Sequence, residues 1–200
     1  MNLSEKNAIK IFKQHHGPLR TSEAVSRGIR PATLSALCKT GVIERVTWGL
    51  YRLAAESGSA HSDLVVVASK IPQATICLIS ALAFHELTTQ IPHAVDIAIA
   101  IHARRPTLDY PPLRVFYFST PALRAGIETY TIEGRAVPIY NPEKSIADAF
   151  KYRDKIGLDV ALEALKIYIR QRNAQVDKLL EYARICRGEK VMHSYLEALL

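Results

Sequence analysis

The chain has 200 residues, of which 48% are hydrophobic and 22% charged, a length for one or two domains and a composition that supports a real core and excludes global disorder. Its apolar runs are far shorter than the ~18 residues of a bilayer span, and its polar start, Met1-Asn2-Leu3-Ser4-Glu5-Lys6, lacks a signal-peptide segment, so a cytoplasmic protein without membrane contact is expected. Cys38, Cys77 and Cys186 are odd in number, far apart and without a C-x-x-C spacing, which argues against a disulfide framework or a zinc site and for free thiols in the core.

The formal charge is +7, and it is placed unevenly. Residues 1–55 carry nine Lys and Arg against three Glu, whereas the other 145 residues carry 17 basic and 16 acidic side chains. A basic head on a near-neutral remainder is the pattern of a polyanion-binding module.

Taken in order, Ser4 suits the N-cap of a helix over about 5–15, with Ala8, Ile11, Phe12 and His15 on one face. Lys6, Lys10 and Lys13 read as its solvated side. Gly17-Pro18 stops that helix, and Thr21 suits the cap of a short second helix over 22–26. Arg27-Gly28 makes a tight turn. Pro31 opens a third helix that runs to Thr40 and ends at Gly41. Leu34, Leu37 and Cys38 share one side of this helix; Ala32, Thr33, Ala36 and Lys39 share the other. A small, polar and basic face suits entry into a major groove ~12 Å wide. Two helices joined by a short glycine turn, the second being the reader, is the helix-turn-helix arrangement.

Residues 43–47 and 50–53 then read as two short strands around Trp48-Gly49, a wing. Alternation is expected to bring Arg45, Thr47 and Arg52 to one face, toward phosphates or the minor groove. Trp48 either caps the wing core or touches DNA. On this reading Thr33, Ala36 and Lys39 face bases beside Ala32, and Thr21, Ser22, Arg30, Arg45, Thr47 and Arg52 hold mainly phosphates.

A polar linker over 54–60 divides a DNA-binding domain, 1–55, from a second domain, 56–200. There, Ser59 or Ser62 suits the cap of a helix reaching Lys70. Strands are expected over 74–78, 95–101, 113–118, 128–132 and 136–140, and Ser80 suits the cap of a helix over 81–88. From Asn141 the pattern is helical, over 141–154, 158–171, 176–187 and 190–199. The fold class is α+β: an N-terminal winged helix-turn-helix, then an α+β domain with a small, mostly antiparallel sheet and a C-terminal helical bundle.

Catalytic signatures are missing. His85-Glu86-Leu87-Thr88-Thr89 fails the zinc-protease pattern because Thr89 stands where the second imidazole is needed. There is no phosphate-binding glycine loop and no nucleophile elbow, and the seven histidines show no ligand spacing beyond the adjacent His15-His16. A non-enzymatic protein without metal or cofactor is expected.

Several strings resemble the AbiEi family of antitoxins, from abortive-infection toxin–antitoxin pairs of phage defence. They are the Gly28 turn, Thr33-Leu34-Ser35-Ala36-Leu37, Thr40 through Val46, and Gly49-Leu50-Tyr51-Arg52-Leu53. Cys77 through Leu82 and Tyr140-Asn141-Pro142-Glu143-Lys144-Ser145-Ile146-Ala147-Asp148 extend the likeness to residues 5–170. The resemblance implies a DNA-binding first domain that represses its own operon, and a second domain that neutralises a nucleotidyltransferase-like toxin without requiring a stable complex. The implied partners are operator DNA with inverted repeats, read by a dimer or by monomers on repeated sites, and the cognate toxin. Glu143, Lys144 and Asp148 serve either antitoxicity or structure; Lys144 and Asp148, at i and i+4, suit an ion pair. The rival readings are a stand-alone winged-helix regulator without a toxin partner, and a protein-interaction module.

Overall fold

Asn2 starts the first helix, α1 (Leu3–His15). In the computed structural model, which describes residues 2–15, 17–56 and 60–198, the Glu5 N–H donates to the Asn2 side chain at 2.8 Å and the Asn2 N–H donates to the Glu5 carboxylate at 2.9 Å. This reciprocal pair satisfies two helix-end donors at once. Ser4, the expected cap, stands inside the first turn instead.

A short strand, β1 (Leu19–Arg20), leads into α2 (Thr21–Ser26), whose cap is Arg20 rather than Thr21; the Arg20 N–H donates to Glu23 at 2.9 Å. Next come α3 (Pro31–Lys39), with proline at its start, and the wing strands β2 (Ile43–Thr47) and β3 (Leu50–Leu53), which match the expected bounds. The three strands form an antiparallel sheet in the order β1-β3-β2. Ala8, Phe12, Leu19, Ala24, Ile29, Leu34, Leu37, Ile43 and Leu53 fill one core beneath the helices. At roughly 25 cal/mol per Å² of apolar area removed from water, such a cluster is what holds so small a module together. This order of helices and strands is consistent with a winged helix-turn-helix-like fold. The next helix, α4 (Ser62–Lys70), takes Ser62 as its first residue, and the alternative cap Ser59 lies outside the described residues.

By contacts the chain divides into two units, the first made of residues 1–72, 107–111 and 130–137. Within it Arg135 donates to the Glu23 carboxylate at 2.5 and 2.9 Å and to the Pro18 carbonyl at 2.6 and 3.1 Å. Gly17 is obligatory beside them: its φ is +150°, and an added Cβ would stand 2.1 Å from the Glu133 carbonyl oxygen. Arg135 holds the Glu23 carboxyl down at about 2, from 4.5. A depressed carboxyl contributes stability above its unfolded value and loses it as pH falls through the folded one. Glu23→Gln is therefore expected to remove the part of the acid-induced loss of stability that falls between 4.5 and about 2, measured by thermal melts across that window.

The expected strands beyond the wing are present, differently connected. These are β4 (Thr75–Ile76), β5 (Val95–Ala100), β6 (Leu113–Phe118), β7 (Ile127–Ile132) and β8 (Arg135–Tyr140), in the sheet order β6-β5-β4-β8-β7. The expectation of a mostly antiparallel sheet is corrected: β5 pairs with β6 in parallel along its whole length, and β4 pairs with β8 in parallel. Parallel neighbours need a crossover of about a dozen residues, and the segment 101–112 supplies it without a helix of its own.

Helix α5 (Leu78–Phe84) starts earlier than expected. Ser80 does not cap it: its hydroxyl accepts from the Asp96 N–H at 2.9 Å and so fastens the helix to β5. A short α6 (Thr120–Arg124) went unanticipated. The C-terminal bundle comprises α7 (Pro142–Lys151), α8 (Arg153–Ile156), α9 (Leu158–Ile169), α10 (Val176–Ile185) and α11 (Glu189–Glu197). Asn141 caps α7, accepting from the Lys144 N–H at 2.9 Å. Every residue from Glu143 to Phe150 is buried, because α5, α9, α10 and α11 all pack against α7.

Candidate nucleic-acid interface

Leu34 and Leu37 anchor α3 in the core of the first unit and so decide which side of the helix is left outside. On that outer side Ala32, Ser35 and Lys39 are exposed, and Thr33 and Ala36 are half-buried at its edge. The surface is small, polar and basic, with no carboxylate on the helix itself.

A furrow runs along each flank of α3. On the wing side a groove of about 590 Å³ lies between Pro31, Ser35 and Cys38 on the helix and Ile43, Glu44, Arg45 and Tyr51 on the strands. Burial raises the pKa of the Cys38 thiol while the nearby Arg45 opposes that shift, so a neutral thiol lines this groove rather than a nucleophile. On the other flank a cleft of about 140 Å³ lies between Ser4 and Asn7 of α1 and Arg30 and Thr33 at the start of α3.

The wing does not present its side chains as alternation implied. Glu44 stands opposite Arg52 and Arg45 opposite Tyr51, which puts Arg45 and Arg52 on opposite faces. A register shift between Arg45 and Thr47 then turns Thr47 inward, where it is only 8% exposed. Arg52 is held by Glu44 at 2.5 Å and by the Ser62 hydroxyl at 3.1 Å. Of the three wing residues, Arg45 alone is exposed, and its guanidinium lies 5.2 Å from the ring centre of Trp48. Trp48 is 74% exposed, so it does not cap the wing core.

At the start of α2, Ser22 is exposed and Thr21 half-buried; the Thr21 N–H donates to the Gly49 carbonyl at 2.9 Å, tying that helix to the wing tip. Arg30 is exposed. The structure thus leaves Ser22, Arg30, Ala32, Lys39 and Arg45 exposed and Thr21, Thr33 and Ala36 half-buried, while Thr47 is buried and Arg52 is engaged by Glu44 and Ser62.

Sequence reasoning missed Ser4, Asn7 and Lys70. The Lys70 ammonium donates to the Trp48 carbonyl, and burial, with Arg20 adding to it, lowers its pKa. Nothing in the spacing of Lys70, 22 residues beyond Trp48, signals this contact.

Glu143, Lys144 and Asp148 lie together in the second unit, inside the bundle. Lys144 donates to Asp148 at 2.5 Å with both side chains essentially inaccessible. The Cys186 thiol donates to the other oxygen of Asp148 at 3.1 Å, and Glu143 accepts from the Tyr168 hydroxyl at 2.7 Å. The Lys144 ammonium also faces Tyr140 at 4.0 Å and Phe118 at 4.9 Å, so aromatic faces share its charge.

Among the described residues no group of three or more His, Cys, Asp or Glu is placed to hold a metal ion, and no helix is long and apolar enough to cross a membrane. His85 and Glu86 are not on a helix, since α5 ends at Phe84 and Glu86 takes a φ of +57°.

A family model described as "Transcriptional regulator, AbiEi antitoxin" matches residues 8–54. No curated protein matches the chain. Among solved structures, the RV2827C protein of Mycobacterium tuberculosis is similar in fold, with a TM-score of 0.54 at 11% identity over 98% of this chain and 82% of that one. The match to a regulator family agrees with the non-enzymatic reading. The head of the chain, residues 8–54, is an AbiEi-type regulator domain.

Proposed function

We propose that the chain binds double-stranded DNA through α3 and the wing, represses the operon that encodes it, and neutralises a nucleotidyltransferase-like toxin. In this reading residues 1–55 read the operator and residues 56–200 supply antitoxicity. The observation that carries it is the outer side of α3: Ala32 and Lys39 are open to solvent, no acid stands on the helix, and two furrows flank it. Thr33, Ala36 and Lys39 face base edges beside Ala32. Ser22, Arg30 and Arg45 hold phosphates, with Thr21 contributing from the edge of the surface. Trp48, beside Arg45, lies against the sugar–phosphate backbone.

Binding of this kind releases counterions, so affinity falls steeply with salt. The direct experiment is an anisotropy titration of a duplex from the region upstream of the gene, at several salt concentrations. Tight binding to that duplex and weaker, salt-sensitive binding to a random one support the reading; no affinity for either at low salt overturns it. Co-expression with the product of the adjacent gene, scoring growth rescue, tests the antitoxin part. Loss of rescue in a variant that still binds DNA would separate the two activities, whereas no rescue by the wild-type chain would favour a stand-alone regulator.

A further inference from the structure

Resting on the DNA reading above, we infer that the cleft between α1 and the start of α3 holds one phosphodiester of the duplex backbone. Ser4, Asn7, Arg30 and Thr33 converge on this cleft of about 140 Å³, over a floor of Ala8, Gly28 and Ile29. No carboxylate lines it. Among the described residues none of the four side chains has a hydrogen bond or ion pair of its own, so their donors are unspent.

Three local features keep the cleft open. Asn2, by taking over the capping of α1, leaves the Ser4 hydroxyl unused and draws the Glu5 carboxylate toward its own N–H. Gly28 leaves its wall bare, with no atom within 4 Å of where a Cβ would stand. The N-terminal ends of α1 and α3 both lie at the cleft, and their partial positive charge favours an anion.

The lining selects the occupant. One guanidinium, two hydroxyls and one amide, with no aromatic surface, suit a compact oxyanion and offer nothing on which a base could stack. The position selects its source. Thr33 belongs both to the cleft and to the edge of the reading face, so whatever sits there lies beside the nucleic acid. A helix with side chains is about 10–12 Å across and the major groove about 12 Å wide, so a docked helix has a sugar–phosphate strand along each flank. The Arg45 groove takes one strand and the Ser4–Asn7–Arg30–Thr33 cleft takes the other. A phosphate gripped between two helices fixes how far α3 advances along the groove.

The test uses the full chain and two duplexes, one from upstream of the gene and one of random sequence. Asn7→Asp places a negative charge in the cleft and is expected to weaken both by about tenfold. Gln14→Asp, the same change of charge at an exposed site toward the far end of α1, is expected to have a far smaller effect. Arg30→Gln is expected to reduce the slope of log affinity against log salt by about 0.9, one phosphate's worth of counterions. Circular dichroism melts confirm that each variant folds, and Arg30, being exposed, carries the test if Asn7→Asp does not. If the wild type binds while Asn7→Asp and Gln14→Asp weaken binding equally, or Arg30→Gln keeps the wild-type slope, the cleft holds no phosphate; binding through α3 and the wing stands without it, and in the second case Arg30 drops out of its phosphate contacts. A wild type that binds neither duplex overturns both.

Discussion

Asp148→Ala is expected to lower the unfolding free energy by about 3–5 kcal/mol, measured by denaturant titration. The size follows from what the carboxylate leaves behind. Lys144 is completely buried, and its ammonium has Asp148 at 2.5 Å as its one charged partner among the described residues. Tyr140 and Phe118 soften the loss without replacing an anion. The Cys186 thiol loses its acceptor in the same step. Breaking one partner of a buried pair is costly because the other stays charged and unpaired; removing both is cheaper. Lys144→Met combined with Asp148→Leu should therefore recover much of the stability that either single change loses, a strong coupling in a double-mutant cycle. The cycle also decides what this pair is for. If it only holds α7 in the bundle, the double variant rescues growth as the wild type does; if the charges are needed against the toxin, it is stable and fails to rescue. A single variant as stable as the wild type would remove the argument for an anchoring pair.

How far the sequence could be read depended on how local each determinant was. The wing strands were legible to the residue because alternation and the Trp48-Gly49 turn bound them. The sidedness of α3 followed from Leu34 and Leu37 alone, and its start and end from Pro31 and Gly41. What failed was everything fixed by a partner elsewhere in the chain. The bulge that buries Thr47 and the register that sets Arg52 against Glu44 are properties of a strand pair, which a single strand does not encode. Ser4 and Ser80 have the chemistry of helix caps, yet Asn2 and Cys77 hold those positions because the helices start earlier. The parallel pairing of β5 with β6 was hidden because its crossover contains no helix, the usual mark of a parallel connection. The Lys144–Asp148 pair was legible as spacing; its burial was not, since it takes four other helices to bury α7. The Ser4–Asn7–Arg30–Thr33 cleft joins residues up to 29 positions apart and left no mark on the sequence.

Ala32→Glu combined with Lys39→Glu is expected to weaken binding to the upstream duplex by at least a hundredfold while leaving the melting temperature close to that of the wild type. Both residues are exposed on α3, so the core does not feel the change. The helix would instead bring two carboxylates toward phosphates and base edges, and give up a lysine. Each lost base or phosphate contact is worth roughly 1–3 kcal/mol, and two repulsive charges come on top. Arg52→Ala supplies the contrast. Its guanidinium is already engaged by Glu44 and Ser62, so removal should cost stability in the wing and leave the salt slope unchanged. Arg45→Ala, on the open face beside Trp48, should lower the slope by about 0.9 with little effect on stability. The opposite result, in which Arg52→Ala lowers the slope and Arg45→Ala does not, would mean that the strand face bearing Arg52 meets the duplex. The docking of α3 between two backbones would then be wrong.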